Sequence, residues 1–587
     1  MKDKQLFNAL YIDLSRKKFW VENREDLFSK YIGGVGVAVR LLDEEVSRRI
    51  DPLSPDNVIV FAIGVLTGLY PLASKTVSTF VSPLTGNYGE SHAGGRSAIA
   101  IRMAGYGAIV IRGASEYPVY IAIHGSRVYF RDASALWGMR SSYTVGRVIR
   151  ENERGAGLRT IMRIGRAGEN LVRYATVITE TYRHFGRLGL GAVFGSKKLK
   201  AVVISGRRTI PVSNRRMYRE VYDEIYRYSI KSDIMKKYHD FGTAVNVMPL
   251  SIIGALPHRN LKDTRISDER ISGESIAEKY LARRVACVHC PVACIHVAAI
   301  REPYEDEPYF YKTTFISYDY EPIYSLGSML GITDPYGVFK LIDQVDIVGL
   351  DAISTGVVLS WATEALERGI ISIKDTMVDL RWGSYKEYLK AIEYIVTQPN
   401  EFYRTLAMGV MKAAEKYGGE EFALHYCGNE MPGYHTGPAS HLGCLIGARH
   451  SHLDNAGYSL DQKYMKEKRY PKETELVEKL ISEESWRQIL SSLVVCFFAR
   501  GIYRPELVSK ALKPLDYELS VEELQKLGLE IYANKYRVKL KLGFDLSKLR
   551  LPKRIFEIRT PHGVISEEYI NNAIAYFRER IMKIVSG

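Results

Sequence analysis

The chain has 587 residues, too many for one hydrophobic core, and we expect two to four domains. With 46% hydrophobic and 25% charged residues, its composition is globular and excludes a largely disordered chain. The formal net charge of +14 indicates either a generally basic surface or attraction to an acidic partner. No basic repeat, zinc-finger spacing or recognition helix is present, so we expect no nucleic-acid binding.

The start of the chain and its apolar stretches predict a soluble protein of the cytoplasm. Residues 1–5 lack the apolar run of a signal peptide. The longest apolar stretch, residues 58–70, contains two glycines and ends at Pro71, so it is short for a membrane span and predicts buried strands. Six cysteines in so long a chain do not indicate a disulfide scaffold, and clustered cysteines in a reducing compartment more often bind metal.

Residues 1–207 are predicted to form a β-rich domain. Short β-branched runs bounded by turn residues predict strands at residues 10–14, 58–62, 108–112, 119–123 and 201–205. Glycine-bearing loops lie between them at residues 33–36, 82–86, 92–95 and 186–191. Turns use glycine everywhere, but four such loops in one domain favour a phosphate-bearing cofactor. The candidate contacts in these loops are His92, Ala93, Gly94, Gly95 and Gly186.

After Pro211 the pattern becomes helical. Met217, Val221 and Ile225 recur at helical spacing, with Ser213 or Asn214 as candidate caps. Residues 334–345 and 355–368 are further predicted helices. We place domain boundaries near residues 207 and 417, the second at a pair of glycines, which gives helical domains at 208–417 and 418–587. The predicted fold class is α+β, with a β-rich domain followed by two mainly α-helical domains.

Four of the six cysteines are candidate ligands of an iron–sulfur cluster. Three lie within eight residues with the spacing C-x2-C-x3-C, and one lies in a distant apolar run. Three thiolates from one loop and a fourth from elsewhere suit a [4Fe–4S] cluster. Zinc remains an alternative, because two histidines lie close to the loop. The candidate ligands are Cys287, Cys290, Cys294 and Cys496. The other two, Cys427 and Cys444, are interpreted as core thiols.

Residues 346–351 place two carboxylates on either side of a glycine. Asp346 and Asp351 could bind a ligand edge rich in N–H donors, such as a pterin, while Gly349 lets the backbone approach. The alternative interpretation is a helix C-terminus, with Gly349 in the left-handed conformation and both aspartates solvated. The sequence leaves both interpretations open.

A glutamate and a histidine from separate segments are candidates for proton transfer around a reacting carbonyl group. Glu321 lies in a tyrosine-rich segment, and His452 lies in the segment 447–458 with His450 as second choice. A single histidine is more often structural than catalytic. Two histidines within three residues, beside Asp454 and Asn455, modestly favour the catalytic interpretation.

Taken together, these segments resemble the tungsten-dependent aldehyde:ferredoxin oxidoreductases of anaerobic archaea. The matching segments follow one another through the chain at residues 31–36, 51–55, 82–86, 93–95, 104–106, 167–172, 186–201, 287–294, 326–328, 346–351 and 551–554. The resemblance implies a β-rich base with two helical domains above it. It also implies tungsten, or molybdenum, held by the dithiolenes of two molybdopterins without a protein ligand, and a [4Fe–4S] cluster beside one pterin.

The resemblance further implies two pterin-binding segments of the form D-x-x-G-L-(D/C). The first is intact at residues 346–351, where Leu350 follows the glycine. The second, residues 491–496, keeps its cysteine, but Ser491 replaces the aspartate and Val494 and Val495 replace Gly-Leu. Serine accepts a hydrogen bond but brings no charge, and valine in place of glycine is expected to hold the backbone away. These changes indicate a divergent member.

Other implied cofactor contacts come from the first domain. Lys75 stands where the family often has arginine. Lysine keeps the positive charge but lacks the planar guanidinium group. By position, the backbone carbonyls of His92 and His184 would bind a Mg²⁺ ion that links the pterin phosphates, and Arg183 would contact a pterin.

The implied reaction is oxidation of aldehydes to carboxylic acids, with electrons passing singly through the cluster to ferredoxin. Glu321 would act as the base, His452 would polarise the carbonyl oxygen or relay the proton, and Cys496 would join cluster and pterin. One alternative is a different tungsten reaction, such as carboxylate reduction or hydroxyacid or ring chemistry. Another is a non-catalytic electron-transfer subunit, which the altered second segment would explain. The basic charge suits an acidic ferredoxin, and a homodimer is one option for the assembly.

Overall fold

A computed structural model describes residues 3–180 and 182–587. The strands are β1 (Asn8–Asp13), β2 (Lys18–Asn23), β3 (Ile59–Ala62), β4 (Thr76–Val81), β5 (Tyr88–Ala93), β6 (Ala108–Arg112), β7 (Val119–His124), β8 (Arg127–Asp132), β9 (Leu158–Arg163), β10 (Val177–Thr179), β11 (Arg183–Phe185), β12 (Leu199–Gly206), β13 (Leu281–Val285), β14 (Ile295–Pro303), β15 (Tyr311–Tyr318), β16 (His425–Tyr426) and β17 (Asn429–Glu430).

The α-helices are α1 (Glu25–Tyr31), α2 (Gly34–Glu45), α3 (Ser97–Ala104), α4 (Ser142–Asn152), α5 (Arg166–Glu169), α6 (Leu190–Ser196), α7 (Arg215–Lys231), α8 (Asp233–Phe241), α9 (Val247–Ile252), α10 (Gly273–Lys279), α11 (Tyr320–Leu326), α12 (Pro335–Val348), α13 (Ala352–Glu367), α14 (Ile373–Thr376), α15 (Tyr385–Thr397), α16 (Glu401–Leu406), α17 (Val410–Tyr417), α18 (Pro438–Ile446), α19 (His452–Asn455), α20 (Gly457–Glu467), α21 (Glu473–Ser492), α22 (Pro505–Leu512), α23 (Val521–Lys541), α24 (Arg554–Glu557) and α25 (Glu567–Ser586). None of these described helices is long and apolar enough to cross a membrane.

Two six-stranded sheets organise the part of the chain up to Gly206. Their strand orders are β2-β1-β6-β3-β4-β5 and β11-β10-β9-β12-β7-β8. Strand β1 pairs with β6 and strand β7 with β12 in parallel, and the other neighbours are antiparallel. The five predicted strand runs coincide with β1, β3, β6, β7 and β12, since buried β-branched residues favour a pleated surface. The α+β fold class, with the sheets first and the helices after them, is confirmed.

The helical part begins with α7, whose N-cap is Asn214, one of the two candidate caps; its side chain accepts a hydrogen bond from the backbone of Met217. The two predicted helices correspond to α12 and α13. A departure from the prediction is the antiparallel sheet β13-β14-β15 inside this helical part. Its two outer strands show little apolar alternation, because three of the five residues of β13 and four of the eight of β15 are exposed. The boundary at residue 417 stays a prediction.

The buried core shows that the chain returns to its first sheets near the end. One hydrophobic core combines both N-terminal sheets with residues between Ile489 and Leu542. A second core is built mainly by the helices from α9 to α25. These residues, the return segment, approach the backbone of the N-terminal domain very closely. A Cβ added to Gly64 would lie 2.4 Å from the Ser492 carbonyl oxygen, and one added to Gly34 would lie 2.3 Å from that of Ser491. This contact brings Cys496 to the N-terminal domain.

The Gly64→Ala substitution should therefore push the return segment off the sheet. We expect the free energy of unfolding, measured by urea titration, to fall by about 1–3 kcal/mol, as for other insertions into a close-packed core. Gly501→Ala is the matched control, because a Cβ at Gly501 meets nothing within 4 Å. Equal unfolding curves for the two variants would contradict the close contact.

Candidate functional site

The loop that carries three cysteines lies between β13 and β14 and is held against the first sheet. A Cβ on Gly94 would lie 2.7 Å from Cys287 Sγ, so a side chain at this position would displace the thiol. The backbone of Leu72 joins this loop to the return segment. Its N–H donates to the His289 carbonyl at 3.1 Å, and its own carbonyl accepts from the Cys496 N–H at 2.8 Å. The structure thus brings the fourth cysteine to the loop.

The four thiols share one electrostatic environment. Burial raises the pKa of Cys287 and Cys294, and it raises the pKa of Cys290 to about 12. The nearby Cys496 thiolate also raises the pKa of all three thiols, whereas the Arg183 guanidinium lowers the pKa of Cys287 and Cys294. Among the described residues, no group of three His, Cys, Asp or Glu side chains is arranged to hold a single metal ion. An iron–sulfur cluster is held from its corners, so its thiols need not converge on one point.

The first predicted pterin segment begins at the end of α12, where Gly349 adopts the left-handed conformation with φ +82°. The backbone then runs beside the N-terminal domain: Thr176 N–H donates to the Gly349 carbonyl at 2.9 Å, and Asp351 N–H donates to Tyr174 at 3.0 Å. The helix C-terminus interpretation is therefore correct for the glycine. It is wrong for the aspartates, because Asp346 is 8% and Asp351 4% exposed.

Both aspartates have partners from the N-terminal domain. Asp346 Oδ1 lies 3.2 Å from His184 Nε2, and its Oδ2 accepts from the Tyr143 hydroxyl at 3.2 Å. Asp351 Oδ2 accepts from Arg187 Nε at 3.1 Å, while Oδ1 caps α13. The segment thus joins helices α12 and α13 to strand β11 and the loop after it.

The second predicted pterin segment keeps the same turn despite its changed residues. Val494 has φ +54°, in the left-handed region that Gly349 also occupies. Val495 N–H donates to the Leu490 carbonyl at 2.9 Å, as Leu350 N–H does to Val345. A β-branched residue is strained there, and the turn persists because surrounding structure over-determines it: Val494 is fully buried and its carbonyl accepts from Lys75 N–H at 3.2 Å. Valine does not prevent the turn.

Glu321 and His452, the two candidates for proton transfer, lie in contact. Glu321 lies in the first turn of α11, and His452 Nε2 lies 3.0 Å from its Oε1. The Tyr434 hydroxyl donates to the same oxygen at 3.1 Å. Glu321 Oε2 and His452 Nδ1 are buried without a hydrogen-bond partner among the described residues. Buried polar atoms normally have partners, so these two atoms are candidate contacts for a ligand.

His450 lies apart from this pair. Its Nδ1 is 2.9 Å from the Leu445 carbonyl and its Nε2 is 2.9 Å from Lys539 Nζ. Both ring nitrogens are therefore used by the protein, Nδ1–H as donor and Nε2 as acceptor. Since His450 is only 1% exposed, its contacts indicate a structural role.

The sequence analysis missed Asp319, two residues before Glu321. Its Oδ1 is buried without a partner among the described residues. Burial raises its pKa to about 6; Arg183 opposes the rise, and the Glu321 charge adds to it. The signal available in the sequence was a second acidic residue only two positions before Glu321.

The sequence analysis also missed Glu90, a buried carboxylate on β5. Burial alone would raise its pKa, but Lys535 and Arg449 outweigh this effect and hold the pKa well below its usual range. The partners of Glu90 are Lys535 Nζ at 2.5 Å, Arg449 Nη1 at 3.3 Å, His92 Nε2 at 2.6 Å and the Tyr88 hydroxyl at 2.7 Å. Arg449 also binds Asp454 at 2.5 Å, and Asp454 closes the capping box of the helix that begins with His452. Glu90 therefore connects the first sheet to His452.

His92, the partner of Glu90 on β5, is held neutral near pH 7. Burial lowers its pKa to about 4, although the hydrogen bond to Glu90 opposes this shift. The charges of Arg449 and Lys75 also lower the pKa of His92. The neutral ring adds no further positive charge beside them.

Comparisons with known proteins match nearly the whole chain. Residues 9–206 match the family description "Aldehyde ferredoxin oxidoreductase, N-terminal domain", and residues 220–581 match "Aldehyde ferredoxin oxidoreductase, domains 2 & 3". A tungsten-containing aldehyde ferredoxin oxidoreductase of Pyrococcus furiosus is 32% identical over 92% of this chain and 90% of its own length. One from Thermococcus kodakarensis is 33% identical over 94% and 92%.

Two further relatives carry other names. The WOR-like subunit of an aliphatic sulfonate oxidoreductase from Pyrococcus furiosus is 32% identical over 69% of this chain and 66% of its own length. The solved structure of the active-site complex of benzoyl coenzyme A reductase superposes with a TM-score of 0.83 at 21% identity, covering 99% of this chain and 95% of its own. At that identity the superposition shows the fold alone.

Loss of the Glu90 charge should uncouple this buried network. In Glu90→Gln, Lys535 and Arg449 lose their shared counter-charge, and we expect the free energy of unfolding to fall by about 3–5 kcal/mol. Tyr88→Phe is the control: it removes one hydrogen bond to the same carboxylate and should cost only about 1 kcal/mol. Urea unfolding curves that place both variants together would show that the charge is not what Glu90 contributes.

Proposed function

The chain belongs to the aldehyde ferredoxin oxidoreductase family, and on this premise we propose that it oxidises aldehydes to carboxylic acids at a tungsten bis-pterin centre. The electrons would pass through a [4Fe–4S] cluster to ferredoxin. The observation that carries the proposal is the buried contact of Glu321 with His452, which leaves one polar atom on each side chain free for a ligand.

The donor groups of the candidate site fit a large polar cofactor. Several buried side-chain atoms lack a hydrogen-bond partner among the described residues: Thr176 Oγ1, Arg187 Nη1, Asp319 Oδ1, Glu321 Oε2 and His452 Nδ1. Pterins present donors and acceptors along one ring edge and carry phosphate groups. Arg183, Arg187 and Lys75 provide positive charge for such phosphates.

The sheet edges also fit the magnesium ion of the proposed cofactor. His92 lies on β5 and His184 on β11, and these are the edge strands of the two N-terminal sheets. Edge strands leave backbone carbonyls unpaired, and carbonyl oxygens are ligands that Mg²⁺ accepts. We therefore assign the carbonyls of His92 and His184 to the ion, rather than their rings.

The proposed cluster ligands are Cys287, Cys290, Cys294 and Cys496. The Leu72 backbone joins the loop of the first three to the fourth. When bound, the tungsten centre supplies two-electron oxidation and the cluster supplies one-electron transfer. Arg183 contributes positive charge near Cys287 and Cys294, which favours their thiolate forms.

The residues of the chain would manage the protons. Oxidation of an aldehyde by water to a carboxylic acid releases two electrons and two protons. Glu321 Oε2 is the free position of a base that would take a proton from water, while Oε1 is fixed by Tyr434 and His452. His452 Nδ1 provides a second position, where a proton could be held beside the carbonyl oxygen.

A second candidate is another reaction of the same cofactor. The WOR-like relative of an aliphatic sulfonate oxidoreductase supports this option, because its identity to this chain equals that of an aldehyde oxidoreductase. A non-catalytic subunit is less well supported, since Glu321 meets His452 and both pterin segments keep their turns. The proposal includes ferredoxin as the electron acceptor in the cytoplasm, and a homodimer as the assembly.

The function is tested by aldehyde-dependent reduction of a viologen dye by protein that carries tungsten and pterin. We expect Glu321→Gln to lower this rate by at least about a hundredfold, as for loss of a general base, while cofactor content stays unchanged. Glu467→Gln, on the exposed side of α20, is the control and should keep full activity. Near-normal turnover in Glu321→Gln would remove Glu321 from this role. If none of a broad panel of aldehydes supports dye reduction, the proposed function is refuted.

The cluster is tested by iron analysis and electron paramagnetic resonance after anaerobic purification. Wild-type protein should hold about four irons per chain, and Cys294→Ala should lose most of them. Cys444→Ala, which removes a buried thiol outside the loop, should keep the wild-type iron content and signal. Iron content that is the same in both variants would exclude Cys294 as a ligand, and zinc in place of iron would revive the single-metal alternative.

A further inference from the structure

We propose that one face of α7 is the docking surface for a small acidic protein that carries a single electron. The inference rests on the proposed function, because it needs an electron-transferring cluster at the three-cysteine loop. The α7 face is defined by Arg215, Arg219, Tyr222, Tyr226 and Ile230.

The α7 face is continuous and largely uncovered. Its residues are spaced by four, three, four and four positions, which places them on one side of the helix. The helix buries the adjacent side, which carries Val221 and Ile225. On the α7 face, Tyr226 is 39% and Ile230 49% exposed, although both are large apolar side chains. Exposed aromatic and apolar groups of this kind are typical of binding surfaces.

The charge of the α7 face selects an acidic partner. Arg215 and Arg219 are exposed and form no ion pair with any carboxylate in the described part of the chain, whereas Arg216, on the neighbouring side, pairs with Glu220 at 3.2 Å. Free guanidinium groups beside aromatic rings suit carboxylates of a partner. The net charge of +14 on the whole chain adds long-range attraction for the same kind of partner.

The α7 face also lies beside the cysteine loop. The Tyr222 ring stacks on the His289 ring at 5.7 Å, and on the Tyr226 ring at 6.1 Å. His289 directly precedes Cys290, and its carbonyl is held by Leu72 N–H. A partner on the α7 face is therefore separated from the loop by two stacked rings, which is a short route for an electron.

Another exposed aromatic group is less suited to this partner. Tyr309 is 92% and Phe310 64% exposed, at the turn between β14 and β15. The turn lies at the far end of β14, whose nine residues span about 30 Å from the cysteine loop. It also carries Glu305, Asp306 and Glu307, which would repel an acidic protein.

The test compares the holoenzyme with an Arg215→Glu/Arg219→Glu variant. With a ferredoxin of negative net charge as acceptor at low salt, we expect the variant to raise KM about tenfold or more. Rising salt should slow the wild type and leave the variant nearly unchanged. Reduction of a viologen dye, which needs no docking surface, should stay within twofold of wild type. Arg227→Glu is the control: it reverses one charge on the same helix, where the double variant reverses two, and it lies outside the α7 face.

Binding of the ferredoxin to immobilised holoenzyme provides a readout that does not depend on turnover. Loss of binding in the double variant, with binding kept in Arg227→Glu, supports the α7 face. Unchanged binding and KM in the double variant overturn it, as does loss of binding in a Tyr309→Ser/Phe310→Ser variant alone. If no aldehyde reduces the dye, the proposed function fails, while the binding comparison still decides whether the α7 face is the docking surface.

Discussion

The arrangement of the candidate site depends on one buried carboxylate, Glu90. A carboxylate with almost no exposed surface is stable as an anion only when cations accompany it, and Lys535 and Arg449 do so. Those two cations come from the last third of the chain, so the charge on the first sheet determines where the final helices settle. Because Arg449 also binds Asp454, the position of His452 follows from the same charge.

The sequence predicts those parts of the fold that depend on local pattern. The β-branched runs became strands, and Gly349 ends α12 as a left-handed glycine should. Glu321 and His452 were predicted as separate candidates for proton transfer, and only the fold shows that they are in contact. The sheet around β14 and the role of Glu90 could not be predicted in the same way. Exposed strands carry little periodic signal, and the two cations that pair with Glu90 lie more than 350 positions further along the chain.

Val494 shows that a turn can outlast the residue that favours it. Gly349 has little intrinsic cost at positive φ, whereas valine at φ +54° resists that conformation. The hydrogen bonds of Val495 and Lys75 to this segment and the complete burial of Val494 keep the turn nevertheless. The sequence of the second segment is therefore more altered than its backbone. Packing from outside the segment stabilises the left-handed turn there, which glycine favours in the first segment.

The return of residues between Ile489 and Leu542 to the N-terminal core has a consequence for the synthesis of the protein. On the ribosome, the first two sheets emerge long before the segment that completes their core. The loop with Cys294 is made about two hundred residues before Cys496, an interval of roughly 10–40 s at ordinary rates of synthesis. During that time the loop has three cysteines and no fourth. If the proposed cluster forms, its insertion as a finished unit would therefore follow translation, because its fourth ligand is made last.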